Sequence, residues 1–163
     1  MNRRKVVSMI TLMVLVILGV VLCVWFSGLP SVRTDLSIGL QHAVIDAAVG
    51  DGHPGAEKVL SLSSLTPFQW EELIVVKPYD QLTTINVDRR TMFQLRRINI
   101  ETRDDICVLV FKAHSKTVHI LTMPRDVDFS RLSRQTYATQ EAFFRLTRSG
   151  DNRIVLRDTI TDE

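Results

Sequence analysis

The four histidines, His42, His53, His114 and His119, are the first place to look for metal or acid–base chemistry. None stands in a His-x-x-x-His, His-Glu-x-x-His or Cys-x-x-Cys pattern, so a zinc ligand set is missing. His114 and His119 are separated by a turn and a strand start, which assures them no common face. Close carboxylates occur at Glu71-Glu72, Asp104-Asp105 and Asp126-Val127-Asp128. Neighbours on a strand point to opposite faces, so the first pair is badly placed for acid–base work, and the second suits a turn. Asp126 and Asp128 can share a face, but the other ligands of a calcium loop are absent. No Gly-x-Ser-x-Gly motif supplies a serine nucleophile. Cys107 lies in an apolar run, where desolvation suppresses the thiolate. No catalytic residue, metal or cofactor is assigned. The grouping left to an enzyme reading is Asp126, Asp128 and His119, dispersed residues that folding would have to gather.

Binding chemistry is better represented. Arg89-Arg90 and Arg96-Arg97, with Arg103 nearby, are interleaved with Met92, Phe93 and Leu95. Arginines beside exposed aromatics make contact hot spots and can also sit against anionic head groups. The competing reading is the solvated face of a loop and edge strand. Trp70, Pro78 and Tyr79 carry the same ambiguity between core packing and a recognition groove. The partner-binding candidates are therefore Arg89, Arg90, Phe93, Arg96, Arg97, Trp70 and Tyr79.

Charge is unevenly spread. Outside the first five residues the chain has 17 basic and 18 acidic residues, a net −1. Ser31 to Asp80 is −4, whereas Gln81 to Asp158 is +5. Such separation can orient a domain toward a charged partner.

Elements must hold these residues in place, and the sequence predicts them in order. Val6 to Phe26 has no charge; as a helix it is about 31 Å long at about 1.5 Å per residue, enough to span a bilayer. Arg3, Arg4 and Lys5 precede it, and Trp25 and Phe26 suit an aromatic belt at its far end. The run is too long, and its candidate cleavage sites too bulky, for a typical signal peptide. The expected organisation is a cytoplasmic stub at 1–5, a transmembrane helix at 6–26, a linker at 27–33, an extracytoplasmic domain at 34–158 and an acidic tail at 159–163. The expected location is the bacterial inner membrane, single-pass, with the domain in the periplasm or outside the cell. The bilayer and a protein partner in the envelope are the expected contacts, and nucleic acid is not expected on this topology. Cys23 and Cys107 would not meet, so no intrachain disulfide is expected.

Thr34 to Val49 places Leu36, Leu40, Ala43, Val44, Ala47 and Ala48 on one helical face, with Thr34 or Asp35 as N-cap. A breaker cluster from Gly50 to Gly55 ends it. Lys58 to Leu62 reads as an edge strand, Trp70 to Val76 as an interior strand, and Asp80 as the cap of a brief helix with Leu82 and Ile85 facing inward. Leu95 to Glu101, Ile106 to Phe111 and Val118 to Met123 read as an antiparallel meander whose middle strand, apolar on both faces, must be covered on both. Arg125 to Thr139 reads as a polar loop. Ala142–Leu146 and Ile154–Leu156 form a final hairpin through Gly150, Asp151 and Asn152. The expected fold class is α+β: an N-terminal transmembrane helix, then a single domain whose mainly antiparallel sheet, a meander plus a C-terminal hairpin, packs against one or two helices.

The segment Leu65-Thr66-Pro67-Phe68-Gln69-Trp70-Glu71-Glu72-Leu73-Ile74-Val75-Val76-Lys77-Pro78-Tyr79 resembles one in small bacterial envelope proteins of unknown function. Their pattern is Phe-x-Trp-Asp/Glu, an apolar strand, Pro-Tyr, a short helix and a hairpin, here spanning Leu60 to Met123. Glu71 departs from it mildly, aspartate being the more frequent residue there. The resemblance implies a tethered extracytoplasmic α+β domain and brings no activity. The function expected is a non-enzymatic protein-binding module, such as an accessory subunit of an envelope complex or an immunity or inhibitor protein. The alternatives are an envelope hydrolase with a dispersed site and a membrane sensor acting through a partner helix.

Overall fold

The computed structural model describes residues 13–14, 16–18, 33–49 and 58–159. Residues 13–14 and 16–18 are helical; helix α1 (Thr34–Val49) lies after them, followed by strand β1 (Lys58–Ser61), a single turn α2 (Leu62–Leu65) and strand β2 (Glu72–Val76). A 3-10 turn (Leu82–Thr84) leads to helix α3 (Arg89–Ile98), and a second one (Ile100–Thr102) leads away from it. The hairpin β3 (Ile106–Ala113) and β4 (Lys116–Pro124) follows, then the short β5 (Val127–Asp128) and β6 (Thr136–Ala138), and finally β7 (Phe143–Arg148) and β8 (Ile154–Asp158).

The strands form two sheets of four, in the orders β4-β3-β2-β6 and β1-β7-β8-β5. Every pairing is antiparallel except β5 with β8. Because side chains alternate along a strand, β3 feeds two cores. Cys107, Leu109 and Phe111 face the second sheet and α1, packing with Leu40, Val44, Phe129, Tyr137 and Phe144. Ile106, Val108 and Val110 face α3, packing with Ile74, Val76, Leu95 and Ile120. The apolar run is thus covered on both faces, as its composition requires. Full burial of each such side chain stabilises by about 1.5–3 kcal/mol.

Two expectations fail here. Among the described residues no helix is long and apolar enough to cross a membrane, so neither the single-pass helix nor the inner-membrane location drawn from it is upheld. The longest fully described helix, α1, has 16 residues and carries Asp35, His42 and Asp46. At about 1.5 Å per residue it reaches only about 24 Å, short of a hydrocarbon core. Of the run 6–26 only 13–14 and 16–18 are described, and Arg3, Arg4, Lys5, Trp25 and Phe26 lie outside the described residues, as does His53. The second failure is the meander. Leu95 to Glu101 is the end of α3 and the turn beyond it, so β3 has β2, not this segment, as its other neighbour.

Smaller differences have local causes. Asp35 does not cap α1; it lies in the first turn and takes the Arg33 guanidinium at 2.9 Å. Asp80 closes its own turn instead of capping a helix, accepting the Lys77 backbone N–H at 2.8 Å. Arg125 to Thr139 contributes two strands too short to leave a periodic signal. Asp158 closes the domain at its expected boundary, its carboxylate accepting from Ser133 N–H at 2.6 Å and the Tyr137 hydroxyl at 2.7 Å.

Candidate functional site: the outward face of α3

Asp88 starts α3. Its Oδ1 accepts the backbone N–H groups of Arg90 (2.9 Å) and Thr91 (3.0 Å), which satisfies two of the donors a helix N-terminus leaves open. Oδ2 accepts the Thr91 hydroxyl at 2.8 Å, and Thr91 Oγ1 lies 2.7 Å from Thr117 Oγ1 on β4. Burial pushes the Asp88 carboxyl up, but the hydrogen bonds from Thr91, Arg90 and Thr117 outweigh it and hold the group below the usual aspartate range. At the other end Asn99 adopts a left-handed conformation (φ 61°), and its N–H reaches the carbonyls of Leu95 and Arg96. Thr91 and Leu95 are fully buried against the first sheet. The helix is therefore fixed at both ends and along one face.

Its other face brings together five of the seven residues expected to bind a partner. At about 100° per residue, Arg89, Arg90, Phe93, Arg96 and Arg97 fall within an arc of about 120°. Phe93 is central, with arginines three and four residues away on either side, and all five are exposed. Phe93 itself is 55 % exposed. The cluster therefore sits on a capped helix rather than on a loop and edge strand. Of the carboxylates next to the helix in sequence, Asp88 caps it, Glu101 Oε1 accepts the Leu82 N–H at 3.1 Å, and Asp105 holds Arg103 at 2.5 Å.

Trp70 and Tyr79 lie away from this face, near opposite ends of β2. Trp70 is buried; its indole N–H donates to Thr66 Oγ1 at 2.8 Å and its ring stands edge-on to Phe111. It is a core residue. Tyr79 is exposed in a left-handed turn (φ 64°), beside a cleft of about 230 Å³ that also touches Lys77, Cys107, Arg125 and Asp128. A larger hollow of about 370 Å³ lies near the other end of β2, where Phe68, Trp70, Glu71 and His114 line it. Glu71 has a scaffolding task there. Its Oε2 accepts the N–H of His114, the first of two left-handed residues (φ 49° and 61°) in the β3–β4 turn.

The catalytic grouping is not assembled. Cys107 borders the cleft with Asp128, and Cys107 pairs with Met123 across the hairpin. His119 pairs with Phe111, four residues further along β3, about 13 Å away at about 3.3 Å per residue. There its ring packs against Phe68 at 4.1 Å between centroids, the two planes inclined by 55°. Asp126 is exposed, whereas Asp128 is buried and accepts the Ser130 N–H. Among the described residues no group of three or more histidines, cysteines or carboxylates is placed to hold a metal ion. His42 and His114 are exposed.

What sequence reading missed at this site was the helix itself. Its signal was present in Asp88 followed by Thr91, Leu95 and Ile98 at helical spacing, and the paired arginines obscured it. No known family, no characterised protein and no solved structure matches the chain.

Proposed function

We propose that this chain is a non-enzymatic protein-binding module that works through the outward face of α3, as an accessory subunit or as an inhibitor of the protein it holds. The observation that carries this reading is Phe93, more than half exposed at the centre of four arginines on a helix capped at both ends. A phenyl ring kept in water forgoes the stabilisation that burial would provide. Arginine and aromatic residues dominate the energetic centres of protein interfaces, and a desolvated apolar centre with a polar rim is the usual anatomy. Rigid presentation reduces the ordering that binding requires.

A photocrosslinking residue in place of Phe93, in cells, is expected to trap a discrete protein that the same residue at exposed Val59 does not. Replacing Arg89, Arg90, Arg96 and Arg97 by glutamate in that crosslinking variant should abolish the product. An undiminished product would reject this surface.

A further inference from the structure

We infer that the cleft beyond the end of β2 is a second binding site, and that it takes a primary alkylammonium group, the charged head on Asp128 and the apolar stem against Tyr79. No residue of α3 lines this cleft, so the inference does not depend on the contact face proposed above.

The first argument is an open acceptor at the base of the cleft. Asp128 is only 8 % exposed and stands in the chain between Val127 and Phe129, both fully buried. Its Oδ1 accepts the Ser130 N–H at 2.8 Å. Among the described residues no donor meets Oδ2, and no lysine, arginine or histidine forms an ion pair with the carboxylate. No side-chain oxygen or nitrogen sealed in the described interior lacks a partner, so Oδ2 opens into the cleft that Asp128 lines. A serine or an asparagine would serve the Ser130 N–H equally well. A carboxylate buried for one hydrogen bond is costly unless a cation completes it.

The second argument is the charge around that oxygen. Asp80 lines the same cleft and is built alike. Its Oδ2 accepts the Lys77 N–H at 2.8 Å and the Gln135 side-chain amide at 3.4 Å, while among the described residues Oδ1 accepts no hydrogen bond. The cations of the wall are turned to other partners. Lys77 Nζ donates to the Leu132 carbonyl, and the Arg125 guanidinium meets the Asp104 carbonyl at 3.3 Å and its carboxylate at 3.6 Å. The Cys107 thiol, also on the wall, registers the balance. Burial is the main cause that pushes it up to about 12; the Phe129 backbone opposes this, and Asp128 and Asp80 together raise it by more than Lys77 lowers it. Asp80, Asp104 and Asp128 against Lys77 and Arg125 leave the lining at −1, which one monovalent cation neutralises.

The third argument identifies the cation. At about 230 Å³ the cleft is smaller than the roughly 300–1,000 Å³ of ordinary small-molecule pockets, and suits a short chain or a single side chain. A guanidinium binds best to both oxygens of one carboxylate, but here each carboxylate offers one, which matches the separate donors of an ammonium. Two open oxygens are too few for calcium, which takes six to eight. Pro78, Tyr79 and Ile106 give the wall an apolar side on which an alkyl stem can lie. Tyr79 is 61 % exposed and held left-handed (φ 64°), its N–H on the Ile100 carbonyl at 3.2 Å. A bulky residue adopts that conformation at a cost, and such strain gathers at ligand clamps.

The test titrates the full chain with n-pentylammonium and, as its neutral counterpart, n-pentanol, following amide NMR signals. The ammonium is expected to bind about tenfold more tightly and to shift the Tyr79, Asp128 and Ser130 amides. Asp128→Asn keeps an acceptor for Ser130, so it should remove the preference and leave the urea midpoint nearly unchanged. Tyr79→Gly should weaken binding while raising that midpoint, which separates lost contact from lost structure. A capped tripeptide with a central lysine distinguishes the sources of the group. Tighter binding of the tripeptide than of the free amine assigns the cleft to a protein side chain, the reverse order assigns it to a small amine, and either upholds the inference. Equal binding of ammonium and alcohol, no binding of either, an undiminished preference in Asp128→Asn, or tighter binding of butyrate, propylguanidinium or calcium overturns it.

Discussion

Asp88 is a single side chain on which the presentation of α3 depends. Asp88→Ala removes the cap and the link to Thr91, and is expected to lower stability by about 1–2 kcal/mol in urea unfolding. The same residue gives a pH dependence with a definite sign. Its folded-state pKa lies below the unfolded value, so its stabilisation is complete above the ordinary aspartate range and is lost as pH falls through the folded value. Asp158 behaves alike: desolvation raises its pKa, and the bonds from Ser133 and Tyr137 more than reverse that. The urea midpoint should therefore drop between pH 5 and pH 2, and Asp88→Asn with Asp158→Asn should flatten that drop. Arg89→Glu has the opposite effect on stability. Exchanging a cation for an anion in the first turn is expected to add about 0.5 kcal/mol, seen as a small rise in Tm, even as the contact surface is impaired.

At the scale of elements, sequence and structure agree where one period dominates. α1 spans Thr34–Val49 as its apolar spacing requires, and the β3–β4 hairpin and the β7–β8 pair lie where alternating or continuous apolar runs meet turn residues. α3 was hidden because Ile98 and Ile100 alternate with Asn99 and Glu101 at its end, and β-branched residues favour a strand reading. Tertiary packing decided the matter: Thr91 and Leu95 share the buried helical face, with Ile98 partly buried beside them. The split into two sheets could not be read at all, since β1, β5 and β6 are short and their partners are distant in sequence. The candidate surface was readable as composition but not as geometry, because only the helix puts Phe93 at the centre of the arginines. The β3–β4 turn supplies a further test. Ser115 has φ 61°, a conformation glycine adopts freely. Ser115→Gly should stabilise the hairpin, by up to about 1 kcal/mol in the same urea assay, because the left-handed penalty is relieved.

For the molecule as a whole, the shared core between the two sheets sets the accessibility of its one described thiol. Cys107 is 2 % exposed, and burial pushes its pKa up to about 12, with smaller contributions from surrounding groups. With Cys23 replaced by serine, iodoacetamide at pH 8 should leave the folded protein unlabelled and modify it in step with urea unfolding; rapid labelling of the folded form would contradict the described packing. The pairing of β1 with β7 bears on how the chain is made. Leu60 lies opposite Phe144, so the second sheet joins segments from far apart in the chain. During synthesis β2, β3 and β4 emerge and can pair, while β1 stays single until Phe143–Arg148 has left the ribosome. Such late closure is slow and leaves an unpaired strand exposed in the meantime. The nascent chain thus passes through an interval in which chaperone shelter matters more than final stability.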